Sequence, residues 1–554
     1  MDKSTVGKIK VERLDDIPVI FGHVEKMQVQ ETIDAVLETH GNWSGLSPGW
    51  VIAIWIVYIL SEHKHSMDSV REWVRTHLDI LRVVTWQDVT ELDFTDDRLA
   101  LILKKISFTG TWRKIEHNQC RHLLRVYGLG EEKLIRLDAT TGKVYHSPEN
   151  HVIFQVGKAK NGQYETQYKL MLASQDPLGL ALAMDVVPGH KADDPLYLPI
   201  YQRVKNNLQR DGLLLVGNSK MSAVKTRAFI EAGNDFYLMP QKKDNELLDT
   251  LLAPWAGRED EMEYVCFPEE SENPKEDSAI AYGFEITRIE EFDIGGRMIE
   301  WEERLIVARS EQYAKSIKKG LENRLDKAEA KLKKLTPPVG RGKDQLRDEA
   351  SLLASVEKIE KKHRVKGLFL YEYEKEIIEK KVRGYKGKPA RRETKVRFQL
   401  SVKRNQGAIA KAENRAGWRI YLSNAPEEEL PFKKAVLAYR NQYIAENIFR
   451  RLKGEIISMN PLYVQRDDHA KGLFHLLTLA AQVMAVGDYL AKIALANENT
   501  KLAGLYPGNP KRSTATPTTE RMLEAFGNIN LVIIPVGEEI RYQVTPLTGV
   551  LKTQ

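Results

Sequence analysis

The chain has 554 residues, which suits roughly three or four domains, and its 42% hydrophobic content is ample for packed cores. Its formal charge of +6, from 83 Lys plus Arg against 77 Asp plus Glu, is too mild to identify a nucleic-acid partner by itself; what matters is where the charge sits. The two cysteines, Cys120 and Cys266, are far apart and lack neighbours at metal-ligand spacing, so they support neither a zinc site nor a disulfide framework and suit a reducing cytoplasm.

The opening MDKSTVGKIKVERLDD carries no apolar signal region. Helices are expected over 29–39, 48–62, 67–77 and 95–109, with Ser66 and Thr95 as caps and Asp96 and Asp97 in the first turn of the last. Short helices joined by turns suit a DNA-binding domain, and they suit any small helical bundle equally. The apolar stretches 50–60 and 473–486 each fall short of the ~20 residues a bilayer span needs, and the second holds His475 and Gln482. Both read as buried helices, and no membrane partner is expected.

From Lys133 the pattern turns to strands. LIRLDAT is a short apolar run ending in Asp138, followed by TQYKLMLASQD and LGLALAMDVV on either side of Pro177 and Gly179. A helix over 196–208, the buried strand GLLLVG ending at Asn218, a helix over 222–232 and the strand DFYLMP complete the series. Three strands, helix, strand, helix, strand calls next for a helix packed on the sheet, and the segment around Tyr439 qualifies after a long interruption.

The interruption has its own character. Charged helices are expected over 312–335 and 343–365, divided by TPPVGRG, with strand pieces at 304–308, 367–373 and 394–402. Between Lys380 and Arg404 stand eleven Lys or Arg and one acid, Glu393, mixed with Gly384, Tyr385, Gly387, Pro389 and Phe398. So one-sided a run reads as a phosphate-contacting surface, with Lys386, Lys388, Arg391, Arg392 and Lys395 as candidates. The last fifty or so residues, Pro- and Thr-rich and then partly strand-like, have no assigned role.

The stretch YRNQYIAENIFRRLK, residues 439–453, is expected to form one helix. At about 100° per residue, Tyr439, Gln442, Glu446 and Lys453 would fall within roughly 60° of one face. A tyrosine, an amide, a carboxylate and an ammonium make a poor core stripe and a plausible surface for a metal ion and a phosphate. In a mixed sheet of the expected topology the ends of the first and fourth strands lie side by side, and the last helix crosses over them. Asp138, residue 218 and Glu446 would then meet. Three acids there would hold two divalent ions, Mg²⁺ or Mn²⁺, of the kind that promote phosphoryl transfer.

In these motifs the chain resembles DDE transposases of bacterial insertion sequences, in the group marked Y-x2-R-x3-E-x6-K. The signature appears as Tyr439, Gln442, Glu446 and Lys453, the first-acid motif as LIRLDATTGKVYH and the second as LLLVGNSKMSA. PGHKADD, GWRIYLSNA and NPLYVQRDDHAKGLFHLLTLAA extend the likeness across most of residues 90–495. The resemblance implies an α/β fold: an RNase H-like mixed-sheet catalytic core, a large α+β insertion before the last acid, and a helical N-terminal domain that binds DNA. The corresponding boundaries are 1–125, 126–245, 246–430, 431–500 and a tail at 501–554. It further implies catalytic and metal-binding roles for Asp138, residue 218 and Glu446. Metal-dependent cleavage at inverted-repeat ends, strand transfer into target DNA and a homodimer pairing two ends in the cytoplasm, at the nucleoid, complete what it implies.

Two departures stand out. Gln442 replaces the signature arginine and keeps hydrogen bonding without charge. Asn218 replaces the second aspartate, and its NH2 cannot coordinate a cation, so a chain that binds DNA and cleaves it poorly is expected. Asp193, Asp194 and Asp211 are the nearby acids available as substitutes. Lys453 is expected to grip a phosphate, and Tyr439 to contact a phosphate, stack on a base or pack on the sheet. Of Arg450 and Arg451 at least one is expected to be solvated; His146 reads as a structural hydrogen-bonder, and Trp112 and Trp418 as core. Two other functions fit the same residues: a transposase-derived DNA-binding regulator without catalysis, and a related nuclease that cuts without joining.

Overall fold

A computed structural model describes residues 8–159, 162–266, 279–338, 346, 348–382, 389, 391–547 and 549. The described residues up to Val126 are mostly helical. Ser47 caps the apolar helix Pro48–Glu62, accepting from the Trp50 amide, with proline at the first helical position. Thr95 stands at the N-cap position of Asp96–Ser107, but its side chain makes no capping hydrogen bond. Ser66 caps nothing: the next helix begins at Val70 with Ser69 before it. Phe108, in extended conformation, separates Asp96–Ser107 from an additional helix, Thr109–Val126. That helix hides in the sequence because its buried face carries Glu116 and Gln119 among Trp112, Ile115 and Leu123. Glu116 is neutralised by a bidentate Arg203, at 2.6 Å to each oxygen.

The central sheet begins with β1 (Leu134–Lys143), β2 (Tyr164–Gln175) and β3 (Leu180–Pro188). Helix α1 (Tyr197–Leu208), β4 (Leu214–Gly217), α2 (Val224–Ala232) and β5 (Phe236–Pro240) follow. β1 to β3 pair antiparallel, while β4 lies parallel to β1 and β5 parallel to β4, giving the order β3-β2-β1-β4-β5. β1 runs five residues beyond Asp138, where the sequence suggested it would stop.

The interrupting segment is less separate than its expected boundary at 246 implies. β6 (Ala279–Ile294) and β7 (Arg297–Arg309) form a long hairpin, and β10 (Trp418–Ser423) pairs antiparallel with both β7 and β5. Among the described residues the sheet has ten strands, two of them short strands at Gln155–Lys158 and Glu263–Cys266. Only the part between β7 and β10 builds its own core. There α3 (Glu311–Leu332) and α4 (Glu349–His363) pack Leu325, Leu332, Leu352 and Val356 against Phe398 of the hairpin β8 (Phe369–Val382) and β9 (Arg391–Arg404).

Beyond β10 come α5 (Phe432–Arg440), α6 (Tyr443–Lys453) and α7 (Asp467–Asn497). α7 is long and apolar enough to cross a membrane, but 83% of its apolar window is buried inside the protein, so it reads as the central core helix. The N-terminal helices, the β1–β5 sheet and α7 share one hydrophobic core, so the N-terminal helices do not stand apart as a self-contained unit. The tail likewise returns: Asn530–Val536 pairs with Lys10–Arg13 and with Glu539–Val544 in a three-stranded sheet that joins the two ends of the chain.

Candidate active site

Asp138 lies on β1 immediately after Leu137, which pairs with Gly217 at the end of β4. Asn218 is therefore the first residue past β4, level with Asp138 on the adjacent strand. A Cβ added at Gly217 would lie 2.4 Å from the Met221 sulfur, so the Met221 side chain would have to move. The turn after β4 closes with the Met221 amide on the Asn218 carbonyl at 2.9 Å. The Asn218 side chain is fixed at both ends. Its Oδ1 accepts from the Lys220 amide at 2.9 Å, and its Nδ2 donates to Asp138 Oδ1 at 3.0 Å. Asp138 Oδ1 also accepts the Ala139 amide at 2.8 Å. Tyr197, fully buried at the start of α1, stands beside this pair; burial first, then the Asp138 charge, pushes its hydroxyl well above the ordinary tyrosine value.

The expected single helix over 439–453 is two helices. Asn441 closes α5 and Gln442 opens α6, and the link is tightened by i→i−3 bonds from the Gln442 amide to Tyr439 and from the Ile444 amide to Asn441. Tyr439 consequently belongs to α5 and leaves the α6 face. It is half-buried, with its ring centroid 4.7 Å from that of Tyr421 on β10. Glu446 is exposed in the first turn of α6, where a carboxylate is favoured by the helix N-terminus.

Two ties lay α5 and α6 across β1. Arg136, buried two residues before Asp138, donates to the Ala438 carbonyl at 2.9 Å and forks onto Asp176 at 2.7 and 2.6 Å. At the other end, Lys453 Nζ donates to Thr140 Oγ1 and the Thr141 carbonyl, both at 2.6 Å. Asp138 lies between the two anchored points on the strand, and Glu446 between the two on the helices. Both carboxylates act on one hydroxyl. Burial raises Tyr439 above its ordinary value, Arg419 opposes that, and Asp138 and Glu446 add to it.

Among the described residues no group of three His, Cys, Asp or Glu side chains is placed to hold a metal ion. The site offers two carboxylates and an amide whose N–H is aimed at one of them while its oxygen is spent on Lys220. That donor set does not fit a pair of divalent cations. Asp193 pairs with Lys169, Asp194 lies 3.2 Å from Lys242, and Asp211 lies 2.6 Å from Lys205, so each of the three is engaged with a lysine.

The other candidates divide. Arg450 is exposed on α6, whereas Arg451 is buried and held by Asp488 and Glu520. Arg392 and Lys395 are exposed on β9, Arg392 reaching Glu379 only at 3.8 Å. Lys386 and Lys388 lie outside the described residues, as does the side chain of Arg391. Arg404, at the inner end of the same basic run, is taken up by Glu322, Asp326 and Glu329 of α3. His146 bonds the Val464 carbonyl at 2.9 Å and stacks on Phe154. Trp112 is core, but Trp418 lines an open cleft beside Asn218. Arg136 and Arg419 were missed in the sequence. The signal for Arg136 was present, since a cation in the middle of the apolar run LIRLDAT must be paired.

Residues 130–483 match the family described as the transposase DDE domain. No curated protein matches the chain. A solved piggyBac transposase synaptic complex with hairpin DNA, determined by cryo-electron microscopy, aligns with 94% of this chain and 82% of its own at 7% identity. Its TM-score of 0.37 is too low for that likeness to bear on the site. The matched span contains Asp138, Asn218 and Glu446 and covers more than half of the chain, which therefore belongs to the transposase DDE domain family.

Proposed function

We propose that this chain is an insertion-sequence transposase that binds inverted-repeat ends in double-stranded DNA and, as it stands, cleaves them poorly. The sheet order β3-β2-β1-β4-β5 supports an RNase H-like core in this reading, with Asp138, residue 218 and Glu446 as its three catalytic positions. The observation that carries this reading is the Asn218 Nδ2–Asp138 Oδ1 bond of 3.0 Å, which couples the first- and second-acid positions under the helix that bears Glu446. With an aspartate at 218, two carboxylates would face each other at that distance, an arrangement that a bridging Mg²⁺ or Mn²⁺ relieves. With asparagine the N–H satisfies Asp138 without a cation. Arg450, Lys453 and the exposed Arg392 and Lys395 supply phosphate contacts in this reading, and two protomers pair two ends.

The test is end binding followed by cleavage. A duplex carrying the inverted repeat that borders the gene should be bound more tightly than a random duplex and recovered uncut in Mg²⁺. Failure to prefer the end, or ready cutting by the unaltered chain, overturns the proposal. Asn218 also favours a second reading, a transposase-derived regulator that occupies ends without processing them. In that case Asn218→Asp would leave the protein inert.

A further inference from the structure

We propose that Arg419 is a phosphate receptor of the DNA-binding cleft and supplies the cation that position 442 lacks; this rests on the reading above. Side chains alternate along β10, so Arg419 and Tyr421 share the face turned toward Tyr439 of α5. Gly417, with φ of +87°, permits the approach that places them: a Cβ there would lie 2.6 Å from that of Ala314 on α3. That approach brings the Arg419 guanidinium over the Tyr313 ring, 4.5 Å from its centroid.

Two depressions meet at this point. One, of about 490 Å³, runs from Asn218 past Lys242 and Trp418 to Arg419. The other, of about 340 Å³, runs from Arg419 past Gln442 to Glu446. Arg419, Tyr313 and Tyr439 line both. A single guanidinium therefore stands where the space beside residue 218 joins the space beside Glu446.

What distinguishes Arg419 is its counter-charge. Three other buried or half-buried arginines of this region are paired: Arg304 with Glu285 at 2.6 Å, Arg309 with Glu311 at 3.6 Å, and Arg415 with Asp249. Among the described residues no carboxylate lies within ion-pair distance of Arg419, whose polar partners are tyrosine hydroxyls. A half-buried guanidinium whose polar partners are neutral hydroxyls lacks a paired anion, and an anion that presents two oxygens for a two-pronged contact supplies one. A backbone phosphate meets that description, and it has the sign opposite to the Asp138 and Glu446 carboxylates that flank the cleft. Arg440 also lines the second depression but is exposed, so it is the natural rival and the control.

The experiment compares duplex binding across a salt series for the full chain and for Arg419→Gln, Arg419→Lys, Arg440→Gln and Arg419→Gln/Gln442→Arg, with melting temperatures as a folding control. Losing one phosphate contact flattens the log–log salt slope by about 0.9. Arg419→Gln should show that loss, Arg419→Lys should keep the slope with weaker binding, and the added Gln442→Arg should restore the slope. A folded Arg419→Gln protein with the unaltered slope overturns the inference, as does a loss confined to Arg440→Gln. Should Arg419→Gln not fold, phenylglyoxal modification of the unaltered chain decides: bound duplex must protect Arg419, and equal labelling with and without DNA overturns the inference. If the unaltered chain binds no DNA, the proposed function fails; if it binds and Arg419 is indifferent, only this inference fails.

Discussion

Replacing Asn218 by aspartate should turn a stabilising contact into a repulsive one. At 3.0 Å the present N–H donates to a carboxylate, a charge-assisted bond contributing about 1.5–3 kcal/mol. An aspartate oxygen at that separation from Asp138 would instead repel it by about 5 kcal/mol at an effective dielectric of ~20. Both residues are half-exposed, so solvent screening should reduce the net destabilisation to about 2–3 kcal/mol. At roughly 2 °C per kcal/mol the melting temperature of Asn218→Asp should fall by about 4–6 °C at pH 8 in EDTA.

The dependence on pH has a definite sign. The facing pair holds a proton more tightly when folded than when unfolded, so the penalty is full above the raised folded pKa. It disappears as pH falls toward the unfolded carboxylate value. Adding Mn²⁺ at pH 8 should restore the variant and leave the unaltered chain unmoved, since only the variant has a charge pair for the cation to bridge. The assay is thermal unfolding of both proteins across pH, with EDTA or Mn²⁺, read as the difference between them. Equal stability at pH 8 in EDTA would refute the contact as the link between strands β1 and β4.

Other consequences follow from single residues. Burial raises Asp16 to about 6, so this carboxyl costs stability above that pH and nothing below the unfolded value; Asp16→Asn should stabilise by about 1–3 kcal/mol at pH 8 and not at pH 4, measured by urea unfolding. Arg136→Met strands the Asp176 carboxylate and the Ala438 carbonyl and should cost about 3–5 kcal/mol in the same measurement. Neutralising Arg392 and Lys395 together should flatten the salt dependence of duplex binding by about two contacts' worth; an unchanged slope removes β9 from the interface.

Much of the central sheet was legible because its strands are short apolar runs bounded by Pro, Gly and Asp. Asn218 follows the end of β4 level with Asp138 on the adjacent strand, so their meeting follows from topology even though β1 runs on past Asp138. The long hairpin of β6 and β7 was largely hidden, since EITRIEEFDI mixes charged and apolar residues and its buried Glu303 is matched by Arg227 and Arg288, which no local pattern reveals. The break between Tyr439 and Gln442 was invisible for another reason: the helical periodicity of the sequence runs on through the tightened turn without a Pro or Gly to mark it. Arg419 carries no motif; its meaning comes from Gly417, Tyr313 and Tyr439, which other elements bring to it. The basic run 380–404 looked uniform in sequence, yet its inner end is already neutralised by α3, which leaves the charge toward the far end of the hairpin.

The most direct measurement is cleavage of the inverted-repeat end in Mg²⁺ by the unaltered chain, by Asn218→Asp, and by Asn218→Asp carrying Glu446→Gln. Asn218→Asp should cut about 100-fold faster or more, and Glu446→Gln should abolish the gain. Equal rates for the first two proteins, or a gain that survives loss of the Glu446 carboxylate, would contradict a single site built from residues 138, 218 and 446.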